Sequence, residues 1–270
     1  TMEFEPFDIG RFLIAPDRKF HCLLIKTELA PGVMERLASI AAKYRVKVSY
    51  VSYSTPRQYE KPINVVAFID VTDATAPIEQ LLEEARKIEF VKEIRGMKPE
   101  IGGFALDLFS FPLVIDGKRA IIVREQGIRG IINGLRKRLG SAAEAIQYFL
   151  GFEAGLEYGK SHKKLGEKLG IKSPSEILSK ISAPLFTPIG FGVMKILKSN
   201  DTPPYTYIRV YRCFECECAP QKTNKPYSHL VRGMIAGVST EILGMEMTAK
   251  EIKCIAMGDP YCEFEVYPRK

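Results

Sequence analysis

No apolar run in these 270 residues reaches the roughly 18 needed to cross a bilayer, and the start has no basic-then-apolar leader. Both absences argue against a secreted or membrane-bound chain, and a cytoplasmic location without a membrane partner is expected. Cysteine is nearly missing from the first 212 residues, where Cys22 stands alone in the apolar run "HCLLIK" and reads as a small core residue. No helix-turn-helix or zinc-finger spacing accompanies the basic residues. No dinucleotide fingerprint is found either: "GFEAGLEYG" (151–159) has glycines but follows no strand. Nor do a nucleophile, a base and an orienting partner stand out, so a catalytic role is disfavoured.

What is present is a globular composition, 46% hydrophobic, with a net charge of +7. The charge invites a nucleic-acid reading. Its two densest patches, "GLRKRLG" (134–140) and "GKSHKKLGEKLG" (159–170), lie in helix-like sequence, where a solvated face is the favoured explanation.

The first hundred residues alternate between strand and helix patterns. "FHCLLIKTEL" (20–29), "VKVSYVSYS" (46–54), "INVVAFIDV" (63–71) and "VKEIRGM" (91–97) read as strands. Two helices intervene. One opens at Pro31 and repeats Met34, Leu37, Ala41 and Tyr44; the other carries Ile78, Leu81, Leu82, Ala85 and Ile88 on one face. The order βαββαβ is a ferredoxin-like arrangement, two helices on one face of an antiparallel sheet. "TPRQYEKP" (55–62) reads as a polar turn, and "GMKPEIGGF" (96–104) as a domain boundary, giving domains 1–99 and 105–270 in an α+β chain.

Beyond the boundary, Asp116-Gly117 signals a hairpin within 111–125. Helical sequence follows to about residue 182, with glycines at 140, 151, 155 and 159 that suggest close helix packing. "YTYIRVYRCFECECA" (205–219) reads as a strand with Cys216 and Cys218 on one face and Cys213 on the other. On that reading no Cys-x-x-Cys opens a helix, and a redox role is disfavoured. A glycine-rich helix, "SHLVRGMIAGVSTEILG", then precedes two closing strands, "EMTAKEIKCIAM" and "YCEFEVYP". The second domain is therefore α/β with an antiparallel sheet and packed helices.

Five of the six cysteines, Cys213, Cys216, Cys218, Cys254 and Cys262, crowd the last 58 residues. In a reducing compartment such crowding points to metal binding or catalysis before a disulfide framework. Thiolates and a carboxylate are competent zinc ligands. Cys254 and Cys262 flank a turn and can face each other, while Glu251 is one strand residue out of phase and needs a bend or bulge to join them. Cys216 or Cys218 could come from a neighbouring strand, and His229 from the following helix. Reduced, buried thiols without a metal remain the alternative.

Two stretches resemble known families. "TELAPGVMERLASIAAKYRVKVSYVSYS", within a match of about residues 20–97, resembles the start of an ACT domain, which implies a regulatory module with an amino acid held near Gly32. "GMIAGVSTEILG" followed by "KEIKCIAMGDPYCEF" resembles the vinyl-4-reductase domain, with its G-x3-G-x6-G, E-x2-C and C-x3-G-x3-C spacings intact. That resemblance implies a zinc site at Glu251, Cys254 and Cys262, an enclosed apolar pocket for a small hydrophobic or aromatic ligand, and a homodimer. The family's remaining ligand is a cysteine five residues before the first helix glycine, and Ser228 stands there instead. Cys218 and Cys216 are the first substitutes and His229 the next, with an all-thiolate site of Cys216, Cys218, Cys254 and Cys262 as a variant. The strand that gives phenol sensors an aromatic pocket residue carries Cys213 here. Phe191, Tyr211, Phe214, Tyr227 and Met257 complete the pocket expectation. A ligand-sensing regulator is the leading reading; a reductase or tetrapyrrole-handling enzyme and a DNA-binding regulator are the alternatives.

Overall fold

The computed structural model describes residues 4–28, 30–54 and 62–269; most of the turn expected at 55–62 lies outside them. The chain divides into two compact units, Thr1–Ile121 and Ile122–Lys270.

The first unit begins with β1 (Phe12–Ile14), followed by β2 (Phe20–Thr27), α1 (Val33–Lys43), β3 (Lys47–Ser54), β4 (Ile63–Asp70), α2 (Ile78–Arg86) and β5 (Val91–Met97). From β2 to β5 this is the expected βαββαβ order, in an antiparallel sheet arranged β3-β4-β2-β5. Strand alternation sends Leu23, Ile25, Val65 and Ala67 toward Ile40, Leu81, Leu82 and Ala85 of the two helices. The other face is also covered. Phe20, Cys22, Leu24, Val66 and Phe68 pack with Ala105 of β6 (Phe104–Leu106), which pairs antiparallel with β1. Burial pushes the Cys22 thiol up to about 12, as befits a core residue. This second layer carries the first unit past the glycine-rich stretch ending at Phe104, and the unit extends to Ile121. A small hairpin, β7 (Val114–Ile115) and β8 (Lys118–Arg119), turns at Asp116 and Gly117, whose φ values of 52° and 73° suit a two-residue turn.

The second unit opens with α3 (Glu125–Leu139) and α4 (Ser141–Lys168), separated at Gly140. Short helices α5 (Pro174–Ile177) and α6 (Ala183–Leu185) flank a π-helical turn at Leu178–Ser182. Then come β9 (Val193–Asp201), β10 (Pro204–Tyr211), α7 (Phe214–Glu217), α8 (His229–Leu243), β11 (Met247–Lys253) and β12 (Cys262–Pro268). The sheet order is β11-β12-β10-β9, all antiparallel. Val231, Met234, Ile235 and Ala236 of α8 share one core with Ile208, Val210, Met247, Phe264 and Val266 of the sheet. Full burial of each large apolar side chain contributes about 1.5–3 kcal/mol.

Helices α4 and α8 touch backbone to backbone. A Cβ on Gly151 would lie 2.0 Å from the Leu230 carbonyl oxygen, and one on Gly155 2.3 Å from that of Met234. Reciprocally, Cβ atoms on Gly233 and Gly237 would lie 2.0 and 2.1 Å from the carbonyl oxygens of Tyr148 and Phe152. Because Gly151, Gly155 and Gly159 meet residues 230, 234 and 241 in ascending order, the helices run parallel.

Gly237→Ala is therefore expected to destabilise the chain by more than the ~1–3 kcal/mol of ordinary overpacking. Gly130→Ala in α3, where a Cβ meets open space, is expected to be neutral or to stabilise by about 0.4–1 kcal/mol. Urea unfolding of both variants checks the contrast; equal effects contradict the close packing.

Candidate metal centre

The strand expected over 205–219 ends at Tyr211. Arg212 adopts a φ of 52°, Cys213 takes an extended backbone, and residues 214–217 form the single turn α7. Period 3.6 replaces period 2, so Cys216 separates from Cys218 and comes to the same side as Cys213. The closing strand also ends early: β11 stops at Lys253, and a 3-10 turn at Ile255–Met257 leads into β12. In the ladder Glu251 opposes Phe264 and Lys253 opposes Glu263, leaving Ile252 as an extra residue. That bulge shifts the phase, so Glu251 and Cys254 reach the same face.

The result is a buried group of Cys216, Glu251, Cys254 and Cys262 whose donor atoms all lie within 4.8 Å of one another. The Cys216 sulfur is 3.5 Å from that of Cys254 and 3.4 Å from that of Cys262. A tetrahedral zinc with bonds of about 2.3 Å spaces its sulfurs roughly 3.8 Å apart, so an outward shift of a few tenths of an ångström seats one ion. The Tyr227 and Ile255 N–H groups donate to the Cys254 and Cys262 sulfurs, each at 3.4 Å. The turn between the two cysteines is closed by the Cys254 N–H donating to Asp259 at 2.8 Å, with Gly258 at a φ of 103°.

Crowding acidic groups away from water disfavours their ionisation. Burial, followed by the neighbouring Cys254, pushes the Glu251 carboxyl up to about 8. Cys262 is raised by its contacts with Cys213, Cys216 and Cys254. Glu251 Oε2 accepts a hydrogen bond from the Ser228 N–H at 3.3 Å, but Oε1 is buried without a partner, as is the Ser228 hydroxyl. An unpaired buried polar atom costs about 1–3 kcal/mol. A divalent cation satisfies Glu251 Oε1 and supports the thiolates together, so the residues present fit a metal.

Cys218 is buried apart from this group, its surroundings including Arg129 and Glu125. His229 lies 3.7 Å from Glu144 and is held down to about 4 by burial, outside the donor set. Cys213, Phe191, Phe214, Tyr227 and Met257 all belong to the surrounding apolar core. Tyr211 does not: alternation along β10 turns it away from buried Val210, toward Tyr261 with ring centroids 5.6 Å apart. Gly32, in the first unit, precedes α1 at a φ of 81° and borders open space.

A support for the site that sequence reasoning misses is the buried Glu215. Its carboxylate accepts the Leu230 and Val231 N–H groups at 3.0 and 2.8 Å and meets the Arg136 guanidinium at 3.1 Å. It thereby caps α8, a task the Ser228 side chain does not perform. Burial still pushes Glu215 up to about 7. Arg136 also donates to Gln147 and the Tyr227 carbonyl and stacks 3.5 Å from the centroid of the Tyr227 ring. One cation of the basic patch at 134–140 is thus engaged inside the fold. Nothing in the sequence ties Arg136 to a glutamate 79 positions away.

Residues 206–268 match the family model of the vinyl-4-reductase domain. That match takes in 63 of the 270 residues. A 59-residue segment is 32% identical to an uncharacterised protein of Methanocaldococcus jannaschii, covering 22% of this chain and 36% of that one. The chain thus spans about a third of that relative. The structure is similar to the phenol-responsive sensory domain of the transcription activator PoxR, with a TM-score of 0.51 and 18% identity over 56% of this chain and 77% of that one. A vinyl-4-reductase family protein of M. jannaschii gives 0.34 and 18% over 57% and 100%. At these identities the likeness to PoxR establishes the α+β fold of the vinyl-4-reductase unit and nothing finer.

Glu215→Ala removes the anion facing Arg136 and the acceptor of the Leu230 and Val231 N–H groups, a change expected to cost about 3–5 kcal/mol. In an Arg136→Ala background the loss is expected to shrink. Chemical denaturation of the two single variants and the double variant checks this; additive effects contradict the clamp.

Proposed function

We propose that the vinyl-4-reductase unit is a ligand-sensing module in which a structural zinc, bound by Cys216, Glu251, Cys254 and Cys262, holds α7, β11 and β12 in register. The observation that carries the reading is the convergence of three buried sulfurs and an unsatisfied carboxylate oxygen within 4.8 Å. Zinc would supply positive charge beside Glu251 and Cys262, whose ionisation their crowded surroundings disfavour. The ligand is a small hydrophobic or aromatic molecule. Support comes from the packed rings in the same core, where Phe191 meets Phe186 edge-on at 5.4 Å and lies tilted 4.8 Å from Phe214 between centroids. The open concavity of about 600 Å³ near Arg136, Glu144, Lys222 and Lys225 is too polar for such a ligand. Binding shifts the module between two states, and a partner reads the shift.

A second copy of the chain is part of the reading. Ile146, Phe149 and Leu150 form an exposed apolar stripe at helical spacing on α4. Light scattering that gives the mass of one chain at micromolar concentration contradicts the homodimer.

Reduced, purified chain is expected to hold about one zinc, and Cys254→Ser and Cys262→Ser to lose it; less than about half an equivalent in the wild type contradicts the site. Native mass spectrometry is expected to find an apolar molecule retained, or bound from a panel of phenols, hydrocarbons and fatty acids. A chain that binds none of them contradicts the sensor.

A further inference from the structure

Cys213 is a buried thiol that the zinc reading leaves unused. It stands at the entry to α7, three residues before Cys216, in the Cys-x-x-Cys sequence "CFEC". Residues three apart in a helical turn have Cα atoms about 5 Å apart, within the roughly 4.4–6.8 Å that a disulfide spans. Cys213 is fully buried in the same core cluster as Cys216 and Cys262. Cys216 is the one member of the donor group carried by a single helical turn; the other three come from the β11–β12 hairpin and the turn within it. Across α7 runs an ion pair between Arg212 and Glu217, whose side chains are 79% and 41% exposed. Glu215 on the same turn is clamped by Arg136 and the start of α8, so a small oxidant reaches the buried thiols in the minority of molecules in which this turn is open.

We propose that Cys213 and Cys216 are a thiol–disulfide pair whose oxidation withdraws Cys216 from the metal group and releases the ion. The inference rests on the zinc reading above. A hydroperoxide is the oxidant. The Cys213 sulfur attacks the peroxide, the O–O bond breaks, and a sulfenic acid forms as the alcohol, or water, departs. The Cys216 sulfur then leaves the metal and attacks the sulfenic sulfur. An S–S bond forms, and the displaced hydroxide takes a proton to become water. Two sulfurs lose two electrons, and one peroxide gains them. Glu251, Cys254 and Cys262 remain as three donors, too few for a closed tetrahedral site. A dithiol reductant reverses the change by thiol–disulfide exchange.

The test uses the reduced, zinc-loaded full chain and hydrogen peroxide, with a chromogenic chelator for released zinc and peptide mapping for disulfides. The expected result is one zinc released per 213–216 disulfide, followed by rebinding after dithiothreitol. Cys213→Ala is expected to load zinc like the wild type and to release it at least tenfold more slowly at the same peroxide concentration. Equal release from Cys213→Ala, release without a disulfide, or a disulfide joining Cys254 to Cys262 overturns the pair. A reduced chain that takes up no zinc fails differently: it contradicts the zinc reading and removes the coupling with it.

Discussion

Carbonyl oxygens of Tyr148, Phe152, Leu230 and Met234 occupy the space that a Cβ would need on the facing helix, so α4 and α8 can approach only along glycines. This contact fixes where α8 begins. Its first turn must then find acceptors for its free N–H groups, and Glu215 supplies them from α7 while Arg136 balances the charge. Fixing Glu215 places Cys216 next to it, inside the donor group. Helix packing, capping and the buried donor group thus form one chain of dependence running from Gly151 to Cys216.

Electrostatics give the group its direction. Three thiols and a carboxyl lie buried together, and the carboxyl is pushed up to about 8 with one oxygen unpaired. Without a cation this is a cost to folding; with one, the same burial becomes a selective site, because deprotonated donors gain a partner that water cannot replace. The aromatic rings of Phe186, Phe191 and Phe214 lie in the same core.

Much of this was legible in the residues. The βαββαβ order, the glycine packing and the bulge needed to bring Glu251 into phase all follow from periodicity and side-chain size. The strand assigned to 205–219 was not legible in that way, because alternating aromatic and apolar residues continue across Arg212 while the backbone turns into a helix. That one change of period reverses which cysteines meet: Cys216 joins Cys254 and Cys262, and Cys218 does not. The cover over the second face of the first sheet was also missed. It depends on strands of three residues, β1 and β6, too short to carry a pattern. The Glu215–Arg136 clamp depends on tertiary position alone.

X-ray absorption at the zinc edge of the reduced chain reports which atoms hold the ion. Three sulfur ligands at about 2.3 Å and one oxygen at about 2.0–2.2 Å are expected, with one sulfur lost in Cys216→Ser. A shell containing imidazole nitrogen, or a spectrum unchanged by Cys216→Ser, would contradict it.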